Sequence, residues 1–193
     1  MNDKDLRVIK TKERIESAML ELLKNKPLDK ITVTELARIA MINKGTFYLH
    51  YQDIFDLYRK IFLKCLEQPL ANVNFFNLFF DEPERFLDAL GKALMSGLPT
   101  LQSIKQPGQQ DGMFFGDVCV LLRKKVYETH LIPKTLENDI KLDAVFSALL
   151  GIMPTYYGEH VHEAHRVIAS LIRSQFPSES VQRRGTVMSA AKL

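Results

Sequence analysis

Residues 41–57 read MINKGTFYLHYQDIFDL. Four aromatic residues and a histidine follow an Asn-Lys-Gly opening. A core helix has use for the aromatics but little for a glycine and a lysine at its start. At about 100° per residue, a helix from Lys44 to Tyr51 places Phe47 and Tyr51 on one side, one turn apart. Gly45, Thr46, Tyr48 and Leu49 then point the other way, with Lys44 and His50 on the flanks. A phenol, an aliphatic group, a hydroxyl and a glycine make a poor surface against water. Against a base-lined groove they make a sensible one.

The segments on either side supply the frame. Leu6 to Asn25 carries Ile15, Ala18, Met19, Leu22 and Leu23 at three- and four-residue spacing, an amphipathic stripe that Asn25 and Pro27 terminate. Thr32-Val33-Thr34-Glu35 predicts a capping box opening a short helix that ends near Ala40 and buries Leu36, Ile39 and Ala40. Met41-Ile42-Asn43 connects it to the helix beginning at Lys44. Asp53 then caps a fourth helix, residues 53–67, whose Ile54, Phe55, Tyr58, Ile61, Phe62 and Cys65 form its apolar face.

Two short helices joined by a tight turn and propped by a longer one describe a helix-turn-helix, whose second helix fits the DNA major groove. In that setting Gly45 lets the backbone approach the phosphates. Lys44 neutralises a phosphate or reaches a guanine edge, Tyr48 hydrogen-bonds a phosphate, and Leu49 meets a thymine methyl. The competing reading is a buried connecting helix with no partner.

The stretch ITVTELARIAMINKGTFYLHYQDIFDL, residues 31–57, resembles the DNA-binding domain of the TetR/AcrR family of bacterial transcriptional regulators. The matching features are the Thr-led second helix, the Ala40–Lys44 turn, Gly45-Thr46-Phe47-Tyr48, and the aromatic pair His50-Tyr51 before a capped fourth helix. The resemblance covers about residues 8–64 and implies that Thr34, Lys44, Gly45, Thr46, Tyr48, Leu49 and His50 face DNA. Two departures stand out. Ile54 occupies the place of the family's usual phosphate-binding lysine, and Thr34 stands where many members carry arginine. Both point to weaker anchoring on the DNA backbone or to different operator contacts, with a salt dependence shallower by about 0.9 in slope per lost contact.

Charge is distributed in keeping with this. The net charge is +3, but residues 1–64 hold 13 Lys/Arg against 9 Asp/Glu, whereas residues 65–176 hold 10 against 13. A basic front and a slightly acidic body suit a polyanion at the front end. No apolar run approaches bilayer-spanning length and MNDKDLRVIKTKER lacks the apolar stretch of a secretory signal, so the expected location is the cytoplasm, without a membrane. Cys65 and Cys119 form no CxxC pair, which indicates neither a disulfide framework nor a thiolate zinc site.

The body reads as helix throughout, at about 84–97, 112–129, 137–157 and 161–176, after the dense run FFNLFF (75–80). A loop is expected over SIKQPGQQDG (103–112), and a mobile tail from Pro177. Pro154 marks a kink or helix end, with Tyr156 and Tyr157 beside it. The expected class is therefore all-α: an N-terminal three-helix helix-turn-helix domain (1–64) joined to a larger helical domain (65–176). The family resemblance implies that this second domain binds a small-molecule effector and forms a homodimer on a near-palindromic double-stranded operator. Candidate pocket residues are Met95, Leu98, Phe114, Phe115, Val118, Leu122, Phe146, Met153 and Tyr156, with Leu101 beside them; each serves equally well as packing. Candidate dimer residues are Val145, Leu149, Ile152, Val167, Ile168 and Leu171, with Ala148 alongside.

The implied activity is regulation of transcription, most simply as a repressor released by its effector, with the signal passing along the fourth helix. Two other classes compete with it. One is a helical module of this architecture that acts through a protein partner. The other is an enzyme, for which the sequence offers no activated nucleophile, no glycine-rich phosphate loop and no metal set. HVHEAH (160–165) lacks the HExxH hydrolase spacing and reads as a solvated or interface helix start. No cofactor is expected.

Overall fold

The computed structural model describes residues 3–71, 74–104, 114–156, 158–177 and 181, with the side chains of 3–5, 74, 95, 97–104, 153 and 154 left aside. All regular structure among the described residues is helical. By internal contacts the chain forms two compact units, residues 1–68 with 97–113, and residues 69–96 with 114–193. The division between the units falls within the fourth helix, after Gln68.

In the first unit, α1 (Asp3–Leu23) buries Ile15, Ala18, Met19, Leu22 and Leu23, the stripe its spacing predicts. A single 3₁₀ turn (Leu28–Lys30) leads to α2 (Val33–Ile39). Half of the expected capping box forms. The Thr32 hydroxyl accepts the Glu35 N–H at 3.3 Å, but the Glu35 carboxylate pairs with Lys26 Nζ at 2.6 Å instead of reaching back. An ammonium arriving from the end of α1 is a stronger partner than a neutral amide. Leu36, Ala37 and Ala40 are buried and Ile39 is half-buried.

The turn after α2 is a Schellman motif. Ile42 N–H donates to the Ala37 carbonyl at 2.9 Å, and Met41 N–H to the Arg38 carbonyl at 3.2 Å. Met41 takes the left-handed conformation (φ 52°) that this motif demands. Arg14 of α1 locks the turn from outside by donating to the Met41 carbonyl at 3.0 Å.

α3 (Lys44–Tyr48) is shorter than the expected run to Tyr51. Its end tightens as His50 N–H bonds the Phe47 carbonyl at i−3. α4 (Ile54–Ala71) is capped reciprocally: Asp53 accepts the Asp56 N–H at 2.7 Å and Asp56 accepts the Gln52 N–H at 3.0 Å. The helix passes through Pro69 to Ala71, beyond the expected end at residue 67. Leu66 and Leu70, both buried, keep its last turns in place. Phe55, assigned above to the apolar face of this helix, is 48 % exposed and lies off that face.

The second unit is built on phenylalanine. FFNLFF folds as a 3₁₀ turn (Asn74–Asn77) followed by α5 (Leu78–Asp81), too short to be an independent helix. Phe79 is fully buried, with the rings of Phe80, Phe86, Phe146 and Phe176 at 4.8, 5.1, 5.7 and 5.9 Å. α6 (Pro83–Ile104) starts on a proline at its first position, where the missing N–H costs nothing, and runs past the expected end at residue 97. α7 (Phe115–Tyr127) packs on α8 (Leu136–Tyr156), and α8 on α9 (Val161–Gln175). Arg173 of α9 grips Glu84 of α6 through both nitrogens, at 2.7 and 2.5 Å.

Several expectations for the body are corrected by burial. Leu122 and Phe146, named above as pocket candidates, are fully buried. Val145, Leu149 and Ile168 are likewise interior and have no surface to offer a second copy. Because α8 carries apolar or small residues at every position from Ala144 to Ile152, that stretch does not tell inward faces from outward ones. Met95, Leu98, Leu101, Met153, Tyr157, Arg183 and Arg184 lie outside the described side chains, as do most of the expected loop and tail. Among the described residues no helix is long and apolar enough to cross a membrane.

Two stability outcomes follow from this packing. Met41→Gly relieves a left-handed non-glycine residue, and against the chain entropy that glycine loses should stabilise by about 0.5–1 kcal/mol. A urea midpoint raised at unchanged slope is the check. Phe79→Ala should cost about 3–5 kcal/mol by leaving a cavity among four rings; unfolding by near-ultraviolet circular dichroism reads it.

Candidate nucleic-acid interface

The orientation of α3 is set by Phe47. Its ring is fully buried beneath α2, with the Tyr51 ring, itself buried, 5.6 Å away. Once that side is committed to the core, the helical period sends Tyr48 and Leu49 outward, and they are 57 % and 79 % exposed. Tyr48 stands edge-on to Phe47 at 5.4 Å, which leaves its phenol free of the core. Lys44, Gly45 and Thr34 are exposed, and Thr46 and His50 are half-buried. Five of the seven sequence-predicted residues thus reach solvent openly, and Thr46 and His50 do so in part.

Gly45 gives a second reading of the same surface. A Cβ built on it meets nothing within 4 Å, and its backbone is not in the left-handed region. The chain's own packing does not require glycine here.

A polar network steadies α3 from behind. Tyr51 donates its hydroxyl to Glu16 at 3.5 Å, and Lys64 of α4 binds the other oxygen of Glu16 at 2.7 Å. Burial first, then the Glu16 charge, push the Tyr51 hydroxyl up to about 12, so it remains a donor at neutral pH. Lys60 donates to the His50 carbonyl at 3.3 Å, pairs with Asp56 at 2.8 Å, and lies 5.0 Å over the Tyr51 ring. The Asp56 carboxyl is raised by burial but held below its usual range overall by Lys60 and the Gln52 N–H. α1, α3 and α4 are thus tied at the C-terminal end of the exposed helix. Ile54 is turned inward at 7 % exposure, so this position presents no group to a partner.

Residues that sequence patterning missed complete the surface. Arg7, Lys10 and Arg14 of α1 and Arg38 of α2 line an open groove of about 950 Å³ with Thr11, Met41, Asn43 and Thr46. Their spacing in α1 (7, 10, 14) marks one helix face, a signal that was legible. That α2 and the turn form the opposite wall was not.

The other candidate chemistry disperses. His165 is buried with Nδ1 2.9 Å from Asp88, while His160 and His162 are exposed. Among the described residues no group of His, Cys, Asp and Glu is arranged to hold a metal. Burial pushes the thiols of Cys65 and Cys119 up, away from the reactive thiolate form.

No family model matches the chain, and no curated protein matches it. Solved structures do. The dihydroxyacetone kinase operon activator DhaS superposes with a TM-score of 0.45 at 19 % identity, over 86 % of this chain and 95 % of that one. A candidate TetR-family transcriptional regulator from Mesorhizobium loti gives 0.38 at 15 %, over 89 % and 98 %. A TetR-family transcriptional regulator from Haemophilus influenzae gives 0.34 at 17 %, over 90 % and 97 %.

Proposed function

We propose that this chain is a DNA-binding transcriptional regulator of the TetR/AcrR type that reads a near-palindromic duplex as a homodimer. One observation carries the reading. Tyr48 and Leu49 stand in water on a helix whose other side is sealed in the core, next to Lys44 and a groove lined with cations. An exposed phenol and leucine side by side on a basic surface fit the major groove, where the hydroxyl bonds and the leucine covers a methyl.

A single helix-turn-helix offers too little contact for tight specific binding, which favours a two-fold pair. Exposed apolar residues of the second unit support such a pair. On α8 Leu136, Ile140 and Tyr156 are exposed and Ile152 is half-buried, and on α9 Val167 is 66 % exposed with Leu171 half-buried. Ile152, Val167 and Leu171 therefore stay as dimer candidates, and Tyr156 joins them in place of the buried Val145, Leu149 and Ile168. Small-molecule release, as the family resemblance implies, would act within the second unit, where Phe114, Phe115 and Val118 remain half-buried at the start of α7. Repression released in this way is the simplest mode of regulation.

Mobility shift of the DNA upstream of the protein's own gene tests the reading. Tyr48→Ala should weaken specific binding by about 10- to 100-fold, corresponding to 1–3 kcal/mol, while helical content and oligomeric state stay unchanged. Full affinity in that variant would place the reading surface elsewhere; failure of the native protein to shift any palindromic upstream site at low salt would favour a protein partner. Gly45→Ala separates fold from function: stability should rise by about 0.5–1 kcal/mol, because the new methyl meets nothing in the chain, while operator affinity falls.

A further inference from the structure

The first unit distributes its cations unevenly between paired and unpaired positions. Lys26 is neutralised by Glu35, Lys60 by Asp56 and Lys64 by Glu16. The groove between the N-terminal half of α1 and the α2–α3 turn differs. Arg7, Lys10, Arg14 and Arg38 line it and no carboxylate does. Arg14 spends one nitrogen on the Met41 carbonyl; among the described residues the side chains of Arg7, Lys10 and Arg38 make no hydrogen bond or ion pair. Four like charges around one channel raise its potential, and no carboxylate among its lining residues offsets them.

We propose that this groove seats the phosphodiester backbone of duplex DNA, with Arg7, Lys10 and Arg38 as phosphate-binding residues that position the reading helix. The inference rests on the DNA-binding function proposed above and specifies where its electrostatic half is located. Three features favour a polymer over a small anion. The groove is open and, at about 950 Å³, far larger than one phosphate. An exposed cation gains little from one hydrated anion, whereas a polyanion releases its condensed counterions on contact. The groove also ends at Asn43 and Thr46, the start of α3, so a backbone lying in it runs directly into the Tyr48 surface.

The test uses the full chain and a 30-base-pair duplex of random sequence, because non-specific affinity is almost wholly a phosphate effect. Binding is followed by fluorescence anisotropy between 50 and 200 mM salt for the native protein and for Arg7→Gln, Lys10→Gln and Arg38→Gln. Lys12→Gln serves as control: the same charge change on the same helix, on a face turned away from the groove. Each groove variant should lower the slope of log affinity against log salt by about 0.9, with the control unchanged. Thermal unfolding checks that every variant is folded, and the exposed positions chosen make this the expected result.

Equal slopes in the groove variants and the native protein would overturn the phosphate seat while leaving DNA reading intact. Absence of any duplex binding at 50 mM salt would remove both. A third arm titrates inorganic phosphate by calorimetry at fixed ionic strength. Saturable uptake that Arg38→Gln abolishes, with the duplex slope unaltered, would assign the groove to a free anion and overturn the proposal.

Discussion

Burial of Phe47 is the constraint on which the exposed surface depends. A five-residue helix has almost no stability of its own, so its rotation is decided by whichever side chain the neighbouring helices accept. The interior of the first unit takes Phe47 completely and Tyr51 nearly so. With those two placed, 100° per residue leaves Tyr48 and Leu49 no choice but the solvent. The Schellman turn at Met41, pinned by Arg14, sets the angle at which α3 leaves α2. Lys60 and the Glu16 pair hold its far end.

The two units solve the burial problem by different means. The first uses aliphatic stripes of ordinary amphipathic helices and closes them with caps and ion pairs. The second packs a knot of aromatic rings around Phe79, then hangs α6 and α9 together through Arg173–Glu84 and His165–Asp88. A ring cluster tolerates irregular backbone, because large flat side chains fill space without demanding helical register. That is why FFNLFF can be a 3₁₀ turn and a single α-turn and still form the centre of its unit.

Functional polarity in the first unit is arranged by pairing. Lys60 and Lys64 of α4 are paired locally, and among the described residues the groove cations Arg7, Lys10 and Arg38 are not. Net charge by segment, read along the chain, detects the basic front but averages over this division. The sum +4 for residues 1–64 would be the same if every lysine sat in an ion pair. What a polyanion experiences is the residue of that cancellation, and only three-dimensional neighbours define it.

The sequence alone determined the all-helical class, the helix-turn-helix and the outward set on α3, because these rest on local rules: helical period, a Thr cap, an Asp cap, prolines at ends. The stripe of α1 and the burial of Leu36 and Phe47 were legible for the same reason. Tertiary structure decided the rest. Glu35 had a satisfactory local partner and took Lys26 from the turn after α1. Phe55 sat in an apolar pattern and faced water; Val145, Leu149 and Ile168 looked like an interface and proved interior. The groove between α1 and α2 joins residues more than twenty positions apart. In each case the deciding contact lies between segments distant along the chain, and a periodic pattern describes one helix without saying which of its apolar faces a neighbour will cover.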